Sequence, residues 1–404
     1  MTVSSSSMQP LDRLRLQEAV ILAETSFGLT EPNPRVGCVI GTMEGRVLGQ
    51  GATQQAGGPH AEIVALREAS ALGNDVRGAV AWVTLEPCAH HGRTPPCCDA
   101  LIAAGLGRVV VAVTDPFPAV NGAGVARLRT AGVEVVMADG ALQAAARDVN
   151  IGFFSRIQRG RPWVRLKVAT SLDGMTALLN GQSQWITGEE ARRDGHAWRR
   201  RASAVLTGIG TVLADDPQLD VRWVHTAFQP ARVVLDSAFR TPPQARLLKG
   251  PGTTHIIGAR QIDHAPPALR ASTAQLHAHP GANGRVELGA ALSALGAMCF
   301  NEVHVEAGAE LNGALLAGGW VDELLVYVAP RLLGAGRPFA SLPPVESLAQ
   351  SWDFVLIEAN QLGPDLRIRG LTKSSPTLDL LSSRVRVEDT APAWACGVRD
   401  RGNP

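Results

Sequence analysis

Residues 84–97 read TLEPCAHHGRTPPC, and residues 59–62, a short distance upstream, read PHAE. The longer stretch holds two cysteines, two histidines and three prolines within fourteen positions. It can be interpreted as a disulfide loop, as an irregular turn or as part of a metal site. The composition of the whole chain decides against the disulfide loop.

The chain has 404 residues, six cysteines and a formal net charge of +1. Its N-terminus lacks the basic segment and apolar run of a secretory signal, and no stretch approaches the roughly 18 to 20 apolar residues that cross a bilayer. We therefore expect a cytoplasmic protein, in which thiols stay reduced. The near-zero net charge also disfavours nucleic acid or a membrane surface as the main partner.

Pattern and composition divide the chain into five segments. Residues 11–150 and 161–371 each alternate apolar strands with helices, which predicts two α/β domains. The basic stretch 151–160 loses this alternation and is predicted to be a linker. Residues 1–10 are rich in serine, and residues 372–404 mix serine, proline and charge without a sustained period. We expect both ends to be disordered.

The histidine and cysteines around the quoted stretch have the chemistry of a catalytic zinc site, which takes three protein ligands and keeps a fourth position open. His60, Cys88 and Cys97 supply such a set, and Glu62 follows the histidine by two residues. Zinc acidifies a bound water, and a nearby carboxylate can carry its proton to a leaving group. The pattern H-x-E followed by P-C and a second cysteine is typical of zinc deaminases, although eight residues separate the cysteines here.

Plainer interpretations exist for single residues of these motifs. A lone histidine at a helix start is often a cap, and a lone cysteine is often a small core residue. Cys38, in the apolar strand GCVIG, and Cys98, beside a predicted ligand, are predicted to be core residues. His90 and His91 lie within the ligand loop, and the sequence leaves open whether they are solvated or contact a substrate.

The motifs as a set closely resemble the bifunctional riboflavin-biosynthesis deaminase/reductase family. In the first half, the similar stretches are NPRVGCVI, PHAE and TLEPCAHHGRTPPCCDALIAAG. In the second half they are KVATSLDGMTA, SQWIT, TVLADDPQLDVR, VEAGAELNGALL and VDELLVYVAPRLLG. The resemblance covers about residues 11–371 in family order. It implies a cytidine-deaminase-like α/β/α domain followed by a dihydrofolate-reductase-like α/β domain.

For the first domain, the resemblance implies that His60, Cys88 and Cys97 hold one Zn²⁺ per chain and that Glu62 is the catalytic proton shuttle. The substrate would be a small molecule, a phosphoribosylaminopyrimidine whose exocyclic 2-amino group is lost by hydrolysis. The second domain would then use NADPH to reduce the ribosyl side chain to a ribityl chain.

For the second domain, the residues alone predict only a strand, a glycine turn and a helix at VHVEAGAELNGALL, which suits a structural turn or a phosphate site. The resemblance implies that the cofactor contacts Ala169, Trp185, Thr211, Asp215, Ser237, Gly308, Ala309, Glu310, Leu311, Asn312, Gly313 and Ala314. It likewise implies that the substrate contacts Ser183, Arg199, Leu219, Arg222 and Glu306. Arginine suits a sugar phosphate because its planar fork donates paired hydrogen bonds, but from the residues alone Arg199 is also compatible with a solvated helix face.

Three other functions stay open from the sequence. One is a nucleoside or nucleic-acid base deaminase with a non-catalytic second domain, another is a scaffold with structural zinc, and the third is a deaminase beside an inactive reductase. The sequence also leaves homo-oligomerisation open.

Overall fold

The computed structural model describes residues 8–89, 95–118 and 120–373. The loop histidines His90 and His91, residues 1–7 of the predicted disordered N-terminus and the predicted tail from residue 374 onward lie outside the described residues. No helix among the described residues is long and apolar enough to cross a membrane.

The first domain is a layer of strands with helices between them. Its strands are β1 (Gly37–Gly41), β2 (Val47–Ala52), β3 (Val80–Val83), β4 (Arg108–Val111) and β5 (Glu134–Met137). Its helices are α1 (Pro10–Glu24), α2 (Ala61–Ala71), α3 (Cys97–Ala103), α4 (Ala123–Thr130) and α5 (Gly140–Val149). Within the described residues the strand order is β2-β1-β3-β4-β5, with an antiparallel β1–β2 hairpin and parallel β3, β4 and β5. The short strands are apolar and largely buried, so the sheet forms the centre of this domain.

The fully buried apolar positions of helix α2 are small residues, although Leu66 also packs against the core. The sequence predicts an amphipathic helix with apolar positions that include Leu66 and Leu72, but Leu72 is 66% exposed. The buried positions include Ala65 and Ala69, which lie against β2. A Cβ atom at Gly49 of β2 would lie only 2.4 Å from the backbone oxygen of Ala65. Glycine on the strand and alanine on the helix therefore permit the close approach that holds α2 in place.

The predicted linker 151–160 is largely helical. Helix α6 (Ile151–Arg159) buries Phe153 and Phe154, and its basic residues flank that apolar face. The arginines between its apolar residues made the helical period difficult to recognise in the sequence. At Gly152 an added Cβ would lie 2.3 Å from Cγ of Glu302 in the second domain. The connection between the domains is thus a tightly packed element of the fold.

The second domain is built on a long, mostly parallel sheet. Its strands are β6 (Trp163–Ser171), β7 (Met175–Leu178), β8 (Ala204–Gly208), β9 (Ala231–Leu235), β10 (Thr254–Gly258), β11 (Gln275–Ala278), β12 (Glu302–Val305), β13 (Glu323–Ala329), β14 (Gly336–Pro338), β15 (Phe354–Leu362) and β16 (Asp365–Thr372). Its helices are α7 (Glu189–Arg201), α8 (Ile209–Asp215), α9 (Pro267–Arg270), α10 (Leu288–Ala297) and α11 (Ala309–Ala317).

In the described residues the main sheet has the order β11-β10-β9-β8-β12-β6-β13-β16-β15, and β7 pairs separately with β14. The strands from β11 to β13 in this order are parallel, whereas β16 is antiparallel to β13 and β15 is antiparallel to β16. The carboxyl ends of the parallel strands therefore share one edge, where ligands of open α/β sheets bind. The predicted two-part α/β fold class is confirmed.

Candidate active sites

The predicted zinc ligands come together in the first domain. His60 lies immediately before α2, Cys88 lies in the loop that follows β3, and Cys97 is the first residue of α3. Nδ1 of His60 lies 3.2 Å from Sγ of Cys97 and 3.7 Å from Sγ of Cys88. All three ligand atoms lie within 4.8 Å of one another. One nitrogen and two sulfur atoms at these separations suit a tetrahedral zinc ion with one open position.

The two thiols interact in a way that favours metal binding. Hydrogen bonding from Cys97 lowers the pKa of Cys88 to about 4. The backbone N–H of Cys97, at the start of α3, also donates to Sγ of Cys88 at 3.3 Å. The same sharing of a proton raises the pKa of Cys97. A bound cation would take the place of this shared proton, since metals bind thiolates rather than thiols.

Glu62 lies beside the ligand set without belonging to it. Its side chain is on the buried face of α2 and only 3% of the residue is exposed. Burial, together with the nearby Cys88, raises the pKa of Glu62 to about 7. A carboxyl group in this range can both accept and return a proton near neutral pH.

A cavity of about 430 Å³ opens in front of these residues. It is lined by His60, Glu62 and Cys88 and also by Asn33 and Asp115. Burial raises the pKa of Asp115 to about 6. The sequence analysis did not single out Asn33 or Asp115, although the polar ends of the motifs NPRVG and TDP, each next to a buried strand, were the available signal.

The neighbouring cysteines have the positions predicted for them. Cys98 is fully buried and belongs to the hydrophobic core of the first domain, as does Cys38. Because Cys98 follows Cys97 on the same helix, its side chain points into the core while Cys97 lies next to His60. The interpretation of both as core residues is confirmed.

A second cavity, of about 140 Å³, lies in the second domain. Four residues predicted to bind ligands line it together: Trp185, Arg199, Arg222 and Glu306. The remaining predicted positions are not part of its lining; they are Ser183, Leu219, Ala169, Thr211, Asp215, Ser237 and the segment 308–314.

Arg199 and Glu306 form an ion pair at this cavity. Nε of Arg199 donates to Oε1 of Glu306 at 2.5 Å, and Nη2 donates to Oε2 at 2.9 Å. The side chains are 14% and 18% exposed. Burial alone would raise the pKa of Glu306, but Arg199 outweighs burial and holds the pKa well below its ordinary value. The alternative that Arg199 lies on a solvated helix face is wrong.

Further polar residues line the second cavity that were not predicted as site residues, among them Lys167, His196 and Tyr327. Burial lowers the pKa of Lys167, which lies in the middle of β6. Burial also lowers the pKa of His196 to about 4, so this side chain is neutral at physiological pH. Tyr327 donates from its hydroxyl to Oδ2 of Asp194 at 2.6 Å. A lysine within the apolar run WVRLKVATS was the clearest signal, because a charge inside a buried strand needs a functional or structural reason.

The predicted cofactor residues follow the carboxyl ends of adjacent parallel strands. Thr211 and Asp215 follow β8, Ser237 follows β9, and the segment 308–314 follows β12. Gly308 is the N-cap of α11, and no atom of the described residues lies within 4 Å of the place that a Cβ would occupy there. Oδ1 of Asn312, one turn further on, is buried and has no partner among the described residues. This open helix N-terminus fits the phosphate groups of a dinucleotide.

Comparison with protein families divides the chain into two parts. The family described as the cytidine and deoxycytidylate deaminase zinc-binding region matches residues 11–113. The family described as the RibD C-terminal domain matches residues 162–368.

Relatives extend over nearly the whole chain. The riboflavin biosynthesis protein RibD of Escherichia coli is 44% identical over 368 residues, which are 88% of this chain and 98% of that protein. RibD of Aquifex aeolicus is 38% identical over 89% of this chain and 98% of that protein. The solved structure of Acinetobacter baumannii RibD has a TM-score of 0.79 at 42% identity, covering 90% of this chain and 99% of that one. The deaminase/reductase structure from Thermotoga maritima has a TM-score of 0.80 at 30% identity with the same coverage.

Proposed function

The chain belongs to the riboflavin biosynthesis protein RibD family, and from this we propose that it carries out two consecutive steps on one pyrimidine. The first is hydrolytic deamination of 2,5-diamino-6-(5-phosphoribosylamino)pyrimidin-4(3H)-one. The second is reduction of the resulting 5-amino-6-(5-phosphoribosylamino)uracil by NADPH, which turns the ribosyl into a ribityl side chain. The enzyme is thus a hydrolase and an oxidoreductase of riboflavin biosynthesis, and we place it in the cytoplasm.

His60, Cys88 and Cys97 hold the zinc ion of the first step in this proposal. When bound, zinc supplies Lewis acidity near neutral pH. Glu62 takes a proton from the attacking water and returns it to the departing 2-amino group, so that ammonia leaves. The buried position of Glu62 beside the ligand set and its raised pKa support this role. Asn33 and Asp115 offer hydrogen-bonding groups to the pyrimidine edge from the wall of the same cavity.

The second step takes place at the carboxyl edge of the long sheet. When bound, NADPH supplies the hydride. We assign its binding to Thr211, Asp215, Ser237 and 308–314 at this edge, on the support of the strand order and the open N-terminus of α11. Ala169 of β6 and Trp185 are assigned to the same cofactor from the family resemblance. Arg199, Arg222 and Glu306 hold the substrate at the second cavity. We assign Ser183 and Leu219 as further substrate contacts from the family resemblance alone. Lys167 places a buried nitrogen in the same lining and can donate a hydrogen bond to the sugar.

We assign residues 11–150 to the deaminase domain and residues 161–371 to the reductase domain. The positions of the two family matches support this division. The single observation that carries the function is the grouping of His60, Cys88 and Cys97 around an open position beside Glu62.

The test is to supply the diamino substrate and to measure ammonia release and NADPH oxidation separately. We expect both signals, with NADPH oxidation depending on prior deamination. Glu62→Gln should keep about one zinc per chain and lower ammonia release by at least about 100-fold, while NADPH oxidation with the deaminated intermediate continues. Ammonia release without NADPH oxidation on either compound would favour a deaminase with a non-catalytic second domain.

A further inference from the structure

One wall of the deaminase cavity contains Arg156, an arginine that pairs with no carboxylate among the described residues. Helix α6 contributes Phe153, Arg156 and Ile157 to this wall, and the segment after α10 contributes Cys299 from the second domain. Among the described lining residues, Arg156 is the only arginine or lysine. The first cavity is therefore completed by α6 and by the reductase domain.

Neutral groups hold the guanidinium of Arg156 along one edge. Nε donates to Oδ1 of Asn301 at 2.7 Å, and Nη2 donates to the backbone oxygen of Pro32 at 3.3 Å. Asn301 is in turn fixed because its Nδ2 donates to Oε2 of Glu31 at 2.8 Å. The carbon of the guanidinium lies 5.7 Å from the ring centroid of Phe153. No carboxylate among the described residues forms an ion pair with Arg156, so its charge is oriented but not neutralised.

The carboxyl groups of the described lining are unfavourable neighbours for a dianion. Glu62, Glu86 and Asp115 line the same cavity. The carboxylate oxygens of Glu86 accept from the backbone N–H groups of Gly122 and Gly124 at 2.9 Å each. A phosphate near these carboxyl groups would be repelled, whereas one near Arg156 would gain charge-assisted hydrogen bonds.

We propose that Arg156 binds the 5′-phosphate of the deamination substrate and so makes the deaminase site selective for a phosphorylated compound. This inference rests on the proposed function and adds the side chain that recognises the phosphate. The pyrimidine would lie at the zinc ligands and Glu62, and the sugar would extend toward α6. Because Arg156 is held by Asn301, the second domain orients a residue that the first reaction uses.

The test compares the diamino substrate with its dephosphorylated form, using ammonia release as the signal. Arg156→Gln should lower kcat/KM for the phosphorylated substrate by about 10- to 100-fold, the scale of lost hydrogen bonds to a charged group. For the dephosphorylated form the change should stay within about twofold. Arg67→Gln is the matched control, because Arg67 is an exposed arginine on α2 outside the cavity lining; it should alter neither value.

A purely structural role for Arg156 would lower kcat/KM for both substrates alike, and that result, or no change for either, would overturn the proposal. If Arg156→Gln does not fold, the two substrates can be compared with Arg156→Lys, which keeps the positive charge. It should show a smaller loss that is again confined to the phosphorylated substrate. Failure of the wild-type protein to release ammonia from either compound would instead overturn the deaminase assignment.

Discussion

Arg35 of the first domain donates from Nη1 to Oε1 of Glu302 in the second domain at 2.6 Å, and the side chains are only 3% and 0% exposed. The same carboxylate accepts from Arg165 at 2.8 Å and from Arg201 at 2.9 Å. Nη2 of Arg35 also donates to Oε1 of Glu31 and to the backbone oxygen of Arg201. One buried carboxylate thus joins three arginines from both domains. Removing it would leave these buried charges only partly compensated by their other carboxylate partners, Glu31, Glu323 and Asp148.

Glu302 should make the stability of the protein sensitive to acid. Burial alone would raise the pKa of Glu302, but Arg201, Arg35 and Arg165 outweigh burial and lower the pKa to about 2 from the ordinary 4.5. Because the folded state binds this proton less readily than the unfolded state, the stabilisation is complete above about pH 4.5 and is lost as the pH falls toward 2. At roughly 1.4 kcal/mol per pKa unit it amounts to about 3 kcal/mol.

Glu302→Gln should therefore lower the free energy of unfolding by several kcal/mol at neutral pH, and the difference from the wild type should shrink between pH 4.5 and 2. Urea denaturation at a series of pH values measures both effects. Glu189→Gln is the control, because Glu189 pairs with Arg193 at the surface, where the two side chains are 67% and 63% exposed. A difference between Glu302→Gln and wild type that is independent of pH would contradict this account.

The packing of α6 against the second domain gives a second prediction. A Cβ at Gly152 would lie 2.3 Å from Cγ of Glu302 and 2.6 Å from the backbone of Asn301. Gly152→Ala should thus destabilise the protein by about 1 to 3 kcal/mol, although alanine favours helices. At Gly210, in α8, no atom of the described residues lies within 4 Å of an added Cβ. Gly210→Ala should leave the melting temperature unchanged or raise it, and an equal fall in both variants would exclude the steric explanation.

The adjacent cysteines of α3 allow the metal site to be tested with a matched pair. Cys97→Ala removes a predicted ligand and should lose zinc, which metal analysis of the purified protein measures directly. It should also destabilise the first domain, because metal binding contributes to folding free energy. Cys98→Ala removes a buried sulfur atom of the core and should keep about one zinc per chain, with a modest loss of stability. Loss of zinc from Cys98→Ala would mean that the ligand assignment has the wrong cysteine.

The sequence was sufficient to predict those features that depend on residues close together in the chain. The pattern of residues 189–201 predicts a helix, and α7 spans Glu189–Arg201. The motif likewise favours Cys97 over Cys98 as a ligand, and Cys97 lies next to His60. The sequence was insufficient for α6, whose apolar face is short and interrupted by arginines, and for α2, where the buried face is set by glycine on a neighbouring strand. Neither feature is visible from one segment alone.

Contacts between residues that are far apart in the sequence could not be predicted from sequence patterns either. Arg35 and Glu302 are 267 positions apart, and nothing in either segment indicates that they meet. Lys167 could have been noticed as a charge in a buried strand, but its neighbours Arg199 and Glu306 lie on α7 and after β12. The family resemblance pointed to Arg199 and Glu306 because their motifs are known as a set, whereas the tertiary arrangement itself came only from the structure.

The Arg199–Glu306 pair provides the last prediction, which separates the two activities. Glu306→Gln keeps the shape of the side chain but removes the charge that neutralises Arg199 at the second cavity. We expect NADPH oxidation with the deaminated intermediate to fall by at least about 10-fold, because a buried charged hydrogen-bond pair is broken at the substrate. Ammonia release from the diamino substrate should stay within about twofold, since Glu306 does not line the first cavity. Glu346→Gln, an exposed change in the same domain, should affect neither signal. A matching loss of ammonia release in Glu306→Gln would show that the second site acts on the first, and the proposal of two separate catalytic sites would then have to be abandoned.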